Sequence, residues 1–257
     1  MNSEIIKRSC GLIVCLIVSG MMMGQISFGV KGGINFPNLS DDSDNIYSSD
    51  FTSITTASFG ILMDFPVSST FSIQPELMMA GRGGKRNGLQ PLPPGNIPSQ
   101  LSALLPAGVV PYAEFDNRST LDYIEIPVLM KLSFGSKFKI SPYAGPYLGI
   151  LVNAKQKTSG TSPLYLDPNK SIQVTNPLSG QPLTIDLTAD IDTKNEINSS
   201  NFGVHGGVMF TKMTSDIDGF FLDARVTYGF SSLQRNAQLG ETKIGSISIS
   251  FGYMQSI

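Results

Sequence analysis

Eight segments of this chain alternate between apolar and polar residues with a period of two, as β-strands do when only one face meets an apolar environment. Each is about ten residues or longer, the length that a tilted strand needs to cross a lipid bilayer. The segments are residues 28–37, 56–65, 71–82, 121–134, 138–153, 201–211, 220–230 and 244–254. We therefore predict an all-β fold, an eight-stranded antiparallel up-and-down transmembrane β-barrel.

The connections between these segments alternate between long and short. Long connections follow the first, third, fifth and seventh segments, at residues 38–55, 83–120, 154–200 and 231–243. Short ones follow the second, fourth and sixth, at residues 66–70, 135–137 and 212–219. In a meander, all the long loops then lie at one end, which is typical of outer-membrane barrels. We expect four long extracellular loops and both termini in the periplasm.

The two faces of each segment differ in polarity. Ile124, Ile126 and Val128 share one face of their segment, whereas Glu125 and Lys131 share the other. A membrane barrel would turn the apolar face outward to lipid, and a soluble lipocalin-like barrel would turn it inward around a ligand. The length of the segments and the phenylalanines near their ends favour the membrane barrel. A soluble periplasmic lipocalin-like binder remains the alternative.

The polar faces carry balanced charges. The cations and anions placed there are Lys31, Asp64, Glu76, Arg82, Glu125, Lys131, Asp223 and Arg225. An eight-stranded barrel is just wide enough for side chains to fill, and unpaired charges inside it would be costly. We therefore predict ion pairs in a closed lumen without a conducting pore. His205 lies on the same face, and we interpret it as an interior residue and not a catalytic one.

The first 24 residues resemble an export signal, which leaves residues 25–257 for the barrel domain. Lys7 and Arg8 precede an apolar run at residues 11–18, and Gly24 precedes the expected cleavage point. The apolar run is too short to span a membrane as a helix.

Composition excludes several classes of function. Both cysteines, Cys10 and Cys15, lie in the predicted signal, so the exported chain has no thiol for disulfides, zinc or catalysis. A formal charge of −2 offers no basic excess for nucleic acid, and one histidine excludes multi-histidine metal sites. We expect no enzymatic activity, no cofactor and no metal.

The long connections contain three further features. We interpret two acidic clusters as solvated surface, and calcium binding is the alternative. The clusters are Asp41, Asp42 and Asp44, and Asp186, Asp190 and Asp192. Residues 99–106 could form a short helix, and nearby leucines and valines either pack over the barrel mouth or dock a protein partner. These are Leu101, Leu104, Leu105, Val109 and Val110. Residues 184–191 alternate, as an extension of the sixth strand or a small hairpin would.

Several motifs resemble those of the PorT-like outer-membrane β-barrel family. They are residues 30–36 (VKGGINF), 71–78 (FSIQPELM), 121–131 (LDYIEIPVLMK), 142–147 (PYAGPY) and 222–229 (LDARVTYG). The resemblance spans the chain after the signal and departs from the family pattern in the proline-rich second long loop and the terminal residues MQSI.

This resemblance implies a barrel in the outer membrane of a Gram-negative bacterium. The founding member of the family takes part in protein secretion. We expect a monomeric barrel in contact with outer-membrane lipid, acting as a structural, adhesive or secretion-associated component, with a protein partner possible at the loops. A small-molecule porin and a membrane-embedded enzyme are the other classes considered, and no nucleophile and base can be paired from the sequence to support the enzyme.

Overall fold

The computed structural model describes residues 25–41, 46–47, 50–92, 97–236 and 241–257. The predicted export signal at residues 1–24 lies outside these ranges and stays a prediction. The described elements, in chain order, are β1 (Ser27–Asp41), β2 (Thr56–Pro66), β3 (Phe71–Pro91), α1 (Ser99–Ser102), β4 (Tyr112–Leu132), β5 (Phe138–Ser159), β6 (Thr161–Pro163), β7 (Thr184–Asp186), β8 (Ala189–Asp192), β9 (Ser200–Met213), β10 (Asp218–Gly229) and β11 (Thr242–Ser256). No helix within the described ranges is long and apolar enough to cross a membrane.

Eight of these strands form a closed antiparallel ring. Its order is β1–β2–β3–β4–β5–β9–β10–β11, and β11 returns to pair with β1 along the whole length of both strands. Every barrel strand pairs with the barrel strands before and after it in the chain, which is the up-and-down topology. The predicted eight-stranded barrel is confirmed.

The alternation of long and short connections is also present. Residues 67–70, 133–137 and 214–217 form tight turns at one end, here called the short-turn end. The connections at the other, long-loop end run between β1 and β2, β3 and β4, β5 and β9, and β10 and β11.

The middle strands are longer than predicted. The expected loop at residues 83–120 is wrong at both of its ends, because β3 and β4 stay paired as far as Pro91 and Tyr112. The apolar pattern ends earlier because outward positions there are polar, as at Lys85 and Arg118, while the hydrogen-bonded ladder continues. Hydrophobic alternation therefore marked only the lipid-facing part of these strands.

The outward face of the ring is apolar. Phe251 is 59% exposed and Ile126 is 41% exposed, whereas Glu125, between lipid-facing neighbours on β4, is 2% exposed. An inward-facing lipocalin-like closure would reverse this burial. The orientation therefore matches the membrane barrel and not the soluble alternative.

The segment at residues 184–191 combines both predicted outcomes. Its first half, β7, pairs with β6 in a two-stranded sheet beyond the ring. Its second half begins β8, which pairs with β5 at Lys155–Thr158, in line with the pairing of β9 farther down β5.

Two apolar clusters fill the interior. The lower cluster, toward the short-turn end, consists of Leu62, Leu129, Tyr143, Met209, Phe221 and Met254. The upper cluster, toward the long-loop end, consists of Leu39, Leu121, Tyr123, Leu151, Ala154, Leu233 and Ile244. Leu233 belongs to the connection after β10, so a loop side chain helps to close the upper end.

Candidate functional site: the charged lumen

Four ionised side chains meet in the middle of the barrel, and we call them the charge quartet. Lys31 Nζ donates hydrogen bonds to Glu76 Oε1 at 3.0 Å and to Asp223 Oδ2 at 2.9 Å. Arg225 donates to both oxygens of Glu76 at 2.9 Å and to Asp223 Oδ2 at 3.2 Å. Each cation thus contacts both anions, which is the arrangement that a buried charge requires.

Uncharged polar groups complete the hydrogen bonding of the quartet. The Tyr143 hydroxyl donates to Asp223 and accepts from Arg225 Nε at 3.0 Å. The Arg225 guanidinium also lies 5.2 Å from the centre of the Tyr143 ring. Gln74 Nε2 donates to Glu76 Oε1 at 2.7 Å. These contacts fix the four charged groups in one geometry.

A second ion pair lies above the quartet. Arg82 binds Glu125 with two parallel hydrogen bonds, from Nε at 2.8 Å and from Nη2 at 2.7 Å. His205 Nε2 lies 3.5 Å from Glu125 Oε2, and its Nδ1 lies 3.0 Å from the Thr227 hydroxyl. The imidazole ring stacks on Tyr147 with 4.4 Å between ring centres. His205 is therefore held as an interior packing residue.

A third pair lies at the short-turn end. Lys131 Nζ is 2.9 Å from Asp64 Oδ2 and donates to Gln74 Oε1 at 2.8 Å. Through Gln74 this pair is linked to Glu76 and the quartet. The structure thus brings each of the eight predicted lumen charges into contact with an opposite charge.

The charges are enclosed between apolar layers. Going up β4, the inward positions include Leu129 of the lower cluster, then Glu125, then Tyr123 of the upper cluster. On β10, Phe221 of the lower cluster precedes Asp223 in the same way. Buried charged and apolar side chains thus occupy the lumen at all three levels, as expected for a barrel of eight strands.

Several functional neighbours were not among the predicted site residues. Gln74, Tyr143 and Thr227 form hydrogen bonds with the lumen charges, and Tyr147 stacks on His205. All four occupy inward positions. The prediction selected charged residues only. The alternation that placed the charges inside also places these polar groups there, so parity would have found them.

Comparison with known proteins identifies the family. The outer membrane protein beta-barrel domain family matches residues 19–235. The chain belongs to this family. Among proteins of curated function, none matches the chain.

Solved outer-membrane proteins are similar in structure at low identity. Ail, the attachment invasion locus protein of Yersinia pestis, is 10% identical, with 90% of this chain and 99% of that chain covered and a TM-score of 0.37. Neisserial surface protein A is 13% identical, with 90% and 97% covered and a TM-score of 0.37. A major outer membrane protein of Thermus thermophilus is 12% identical, with 90% and 99% covered and a TM-score of 0.41.

Family membership gives the barrel its orientation. Short turns face the periplasm and long loops face the outside in outer-membrane barrels, so the long-loop end is extracellular. The charged lumen then lies at the level of the membrane, with the upper cluster on its extracellular side.

The long loops and the outer end of β4 build a third apolar cluster above the membrane, which we call the loop core. Its buried members are Leu92, Ala113, Phe115, Leu164, Val174 and Ile185. Leu101 and Leu105 pack against it from the connection that contains α1. Leu104 and Val109 of the same connection remain exposed. The loops are therefore a folded platform with some apolar side chains on its surface.

Among the described residues, no group of three His, Cys, Asp or Glu side chains is close enough to bind a metal ion. Asp190 pairs with Lys157 at 3.3 Å. Asp186 accepts the Thr188 backbone N–H at 2.9 Å, and this hydrogen bond lowers the pKa of its carboxyl. Asp42 and Asp44 of the other predicted acidic cluster lie outside the described residues.

Proposed function

We propose that this barrel is a non-enzymatic, non-conducting scaffold that acts through its extracellular loops, in an adhesive or docking role. One observation carries the proposal: the lumen is packed with paired charges between two apolar clusters, while the loops form an ordered platform of their own. A protein built in this way has its accessible surface outside the membrane.

The filled lumen argues against the porin alternative. A conducting path would have to pass the charge quartet and both apolar clusters, including Phe221 and Tyr123, which are among the most deeply buried side chains. Moving the quartet apart would leave charges unpaired inside the barrel, which is costly.

The same enclosure argues against an enzyme in the lumen. Glu125 and His205 are the groups closest to an acid–base pair, and both are nearly inaccessible. Glu125 is occupied by Arg82, and His205 by Thr227 and Tyr147. A substrate would have to displace these contacts before either group could transfer a proton.

A secretion-associated role is the second candidate. It rests on the motif resemblance to PorT-like barrels, as in the segment at residues 121–131. It would require contact with other proteins at the loops or the periplasmic turns.

Crosslinking on intact cells tests the loop role. A photoreactive amino acid at Leu178, which is 97% exposed, or at Leu104 should give protein adducts if the platform docks a partner. The same group at lipid-facing Phe251 is the matched control and should give none. Adducts at the periplasmic turn residue Ser136 alone would move the role to the periplasm. No adduct at either loop position would contradict a docking platform.

A further inference from the structure

Three cations form a row across the outer wall of the barrel, above its lipid-facing band. Lys85 of β3 lies directly opposite Arg118 of β4, and Arg118 lies directly opposite Lys157 of β5. All three side chains are exposed at outward positions. Like charges directly opposite each other destabilise a sheet, so an anion bound across the row would relieve a cost that the bare row carries.

Within the described residues, two of these three cations form no ion pair with a carboxylate. Asp190 pairs with Lys157 at 3.3 Å. Asp116 is one outward position farther from the membrane than Arg118. Within the described residues, Lys85 and Arg118 have no carboxylate within 4.0 Å, although Arg118 Nη2 donates to the Thr55 carbonyl at 3.5 Å.

The row lies in a hollow of the wall. A concavity of about 660 Å³ is lined by all three cations, by the carboxylates of Asp116 and Asp190, and by Asn87. Side-chain amides and guanidinium groups are good donors to phosphate oxygens. The surface thus offers both charge and hydrogen-bond donors to an anionic group.

The height of the row indicates what faces it. Ile124 is the outermost large apolar side chain on the outer face of β4, and Arg118 is six residues beyond it. At ~3.3 Å per residue and a tilt of ~40°, the row lies roughly 15 Å above the apolar band. Lys155 is closer, opposite Thr120. This level is above the hydrocarbon and higher than the headgroup of a simple phospholipid.

We propose that Lys85 and Arg118, supported by Lys155 and Lys157, bind the phosphate of a glycolipid in the outer leaflet. A phosphate carried on a tall sugar headgroup reaches the height of the row, and long cationic side chains can extend toward it. The site would anchor one lipid to the side of the barrel where β3, β4 and β5 extend beyond the membrane.

Binding of a lipopolysaccharide that carries phosphates on the sugars beyond its acylated disaccharide tests the proposal. The probe is added to the purified full-length barrel in detergent, and native mass spectrometry measures the bound fraction. K85Q/R118Q should bind roughly 25-fold more weakly than the parent protein, since each cation near an anionic lipid surface contributes about a fivefold effect. K137Q/K194Q removes two exposed charges elsewhere and should bind as the parent does.

The remaining measurements separate the sources of phosphate. Each variant must first show the parent's resistance to detergent until heated, and the single variant K85Q replaces the double variant if the latter fails this check. Equal binding by parent and K85Q (or K85Q/R118Q) would overturn the proposal. Equally tight binding of phosphatidylglycerol, or displacement of the lipopolysaccharide by millimolar inorganic phosphate, would overturn the glycolipid assignment.

Discussion

At the scale of single residues, the lumen shows how charge can be stable inside a membrane barrel. Lys31 and Arg225 each contact Glu76 and Asp223, so neither carboxylate depends on one partner. Replacing such a network by apolar groups could be neutral, but removing one member leaves the opposite charge buried and unpaired.

Removal of one quartet carboxylate should therefore be severe. E76Q keeps the shape of the side chain but leaves two cations facing one anion. We expect a loss of about 3 kcal/mol or more in the free energy of unfolding, measured by urea titration in lipid vesicles. D190N removes a carboxylate from the exposed pair with Lys157 and should cost about 0–1 kcal/mol. Similar losses in both variants would show that the quartet is not desolvated as described.

A glycine opposite Tyr143 gives a steric test of the same site. A Cβ at Gly207 would lie 2.5 Å from the Tyr143 hydroxyl oxygen and 2.4 Å from the Ala224 carbonyl oxygen. G207A should cost about 1–3 kcal/mol in the free energy of unfolding, because the hydroxyl that binds Asp223 and Arg225 must move. G206A, on the adjacent position with nothing within 4 Å, is the control. The account is contradicted if the two variants have equal urea midpoints.

At the scale of elements, the alternation of apolar and polar residues predicted the strands only where contact with lipid requires an apolar outer face. In β4, the face that contacts lipid must be apolar, and the alternating residues Ile124, Ile126 and Val128 on that face therefore predicted the strand. Beyond the membrane that demand ends. The outward positions of β4 there are taken by polar residues such as Glu114 and Asp116, and the apolar residues Ala113 and Phe115 face inward to the loop core. The eight lumen charges could be placed inside from parity, but their partners could not. Pairing depends on the stagger between strands that are far apart in the chain, such as β3 and β10.

The extracellular platform should behave as a unit separate from the barrel. Leu164 is fully buried in the loop core, which shares no buried residue with the upper cluster. L164A should cost about 2–5 kcal/mol locally and expose the connection between β5 and β9 to protease on intact cells. Detergent resistance of the barrel should not change.

The matched control for the platform is L178A, which truncates a side chain that is 97% exposed. It should leave protease resistance as in the parent protein. If L164A instead abolished detergent resistance, the loop core and the barrel would be one cooperative unit, contrary to this description.

At the scale of the whole molecule, three layers account for the protein. An apolar band faces lipid, a charged core fills the lumen, and a folded platform stands outside. The apolar band fits a chain in the outer membrane, and the charged core argues against ion conduction through the lumen. The folded platform is the surface to which we assign the proposed docking role. The closed lumen is the claim on which the other functional arguments depend.

The most direct test is single-channel recording in planar bilayers. Insertion is first verified by co-flotation with lipid vesicles and by a change in gel mobility between unheated and boiled samples. Under applied voltage, the inserted barrel should give no steady current, because the charge quartet and both apolar clusters block the lumen. A steady, reproducible open-channel current from the inserted parent protein would contradict the closed lumen.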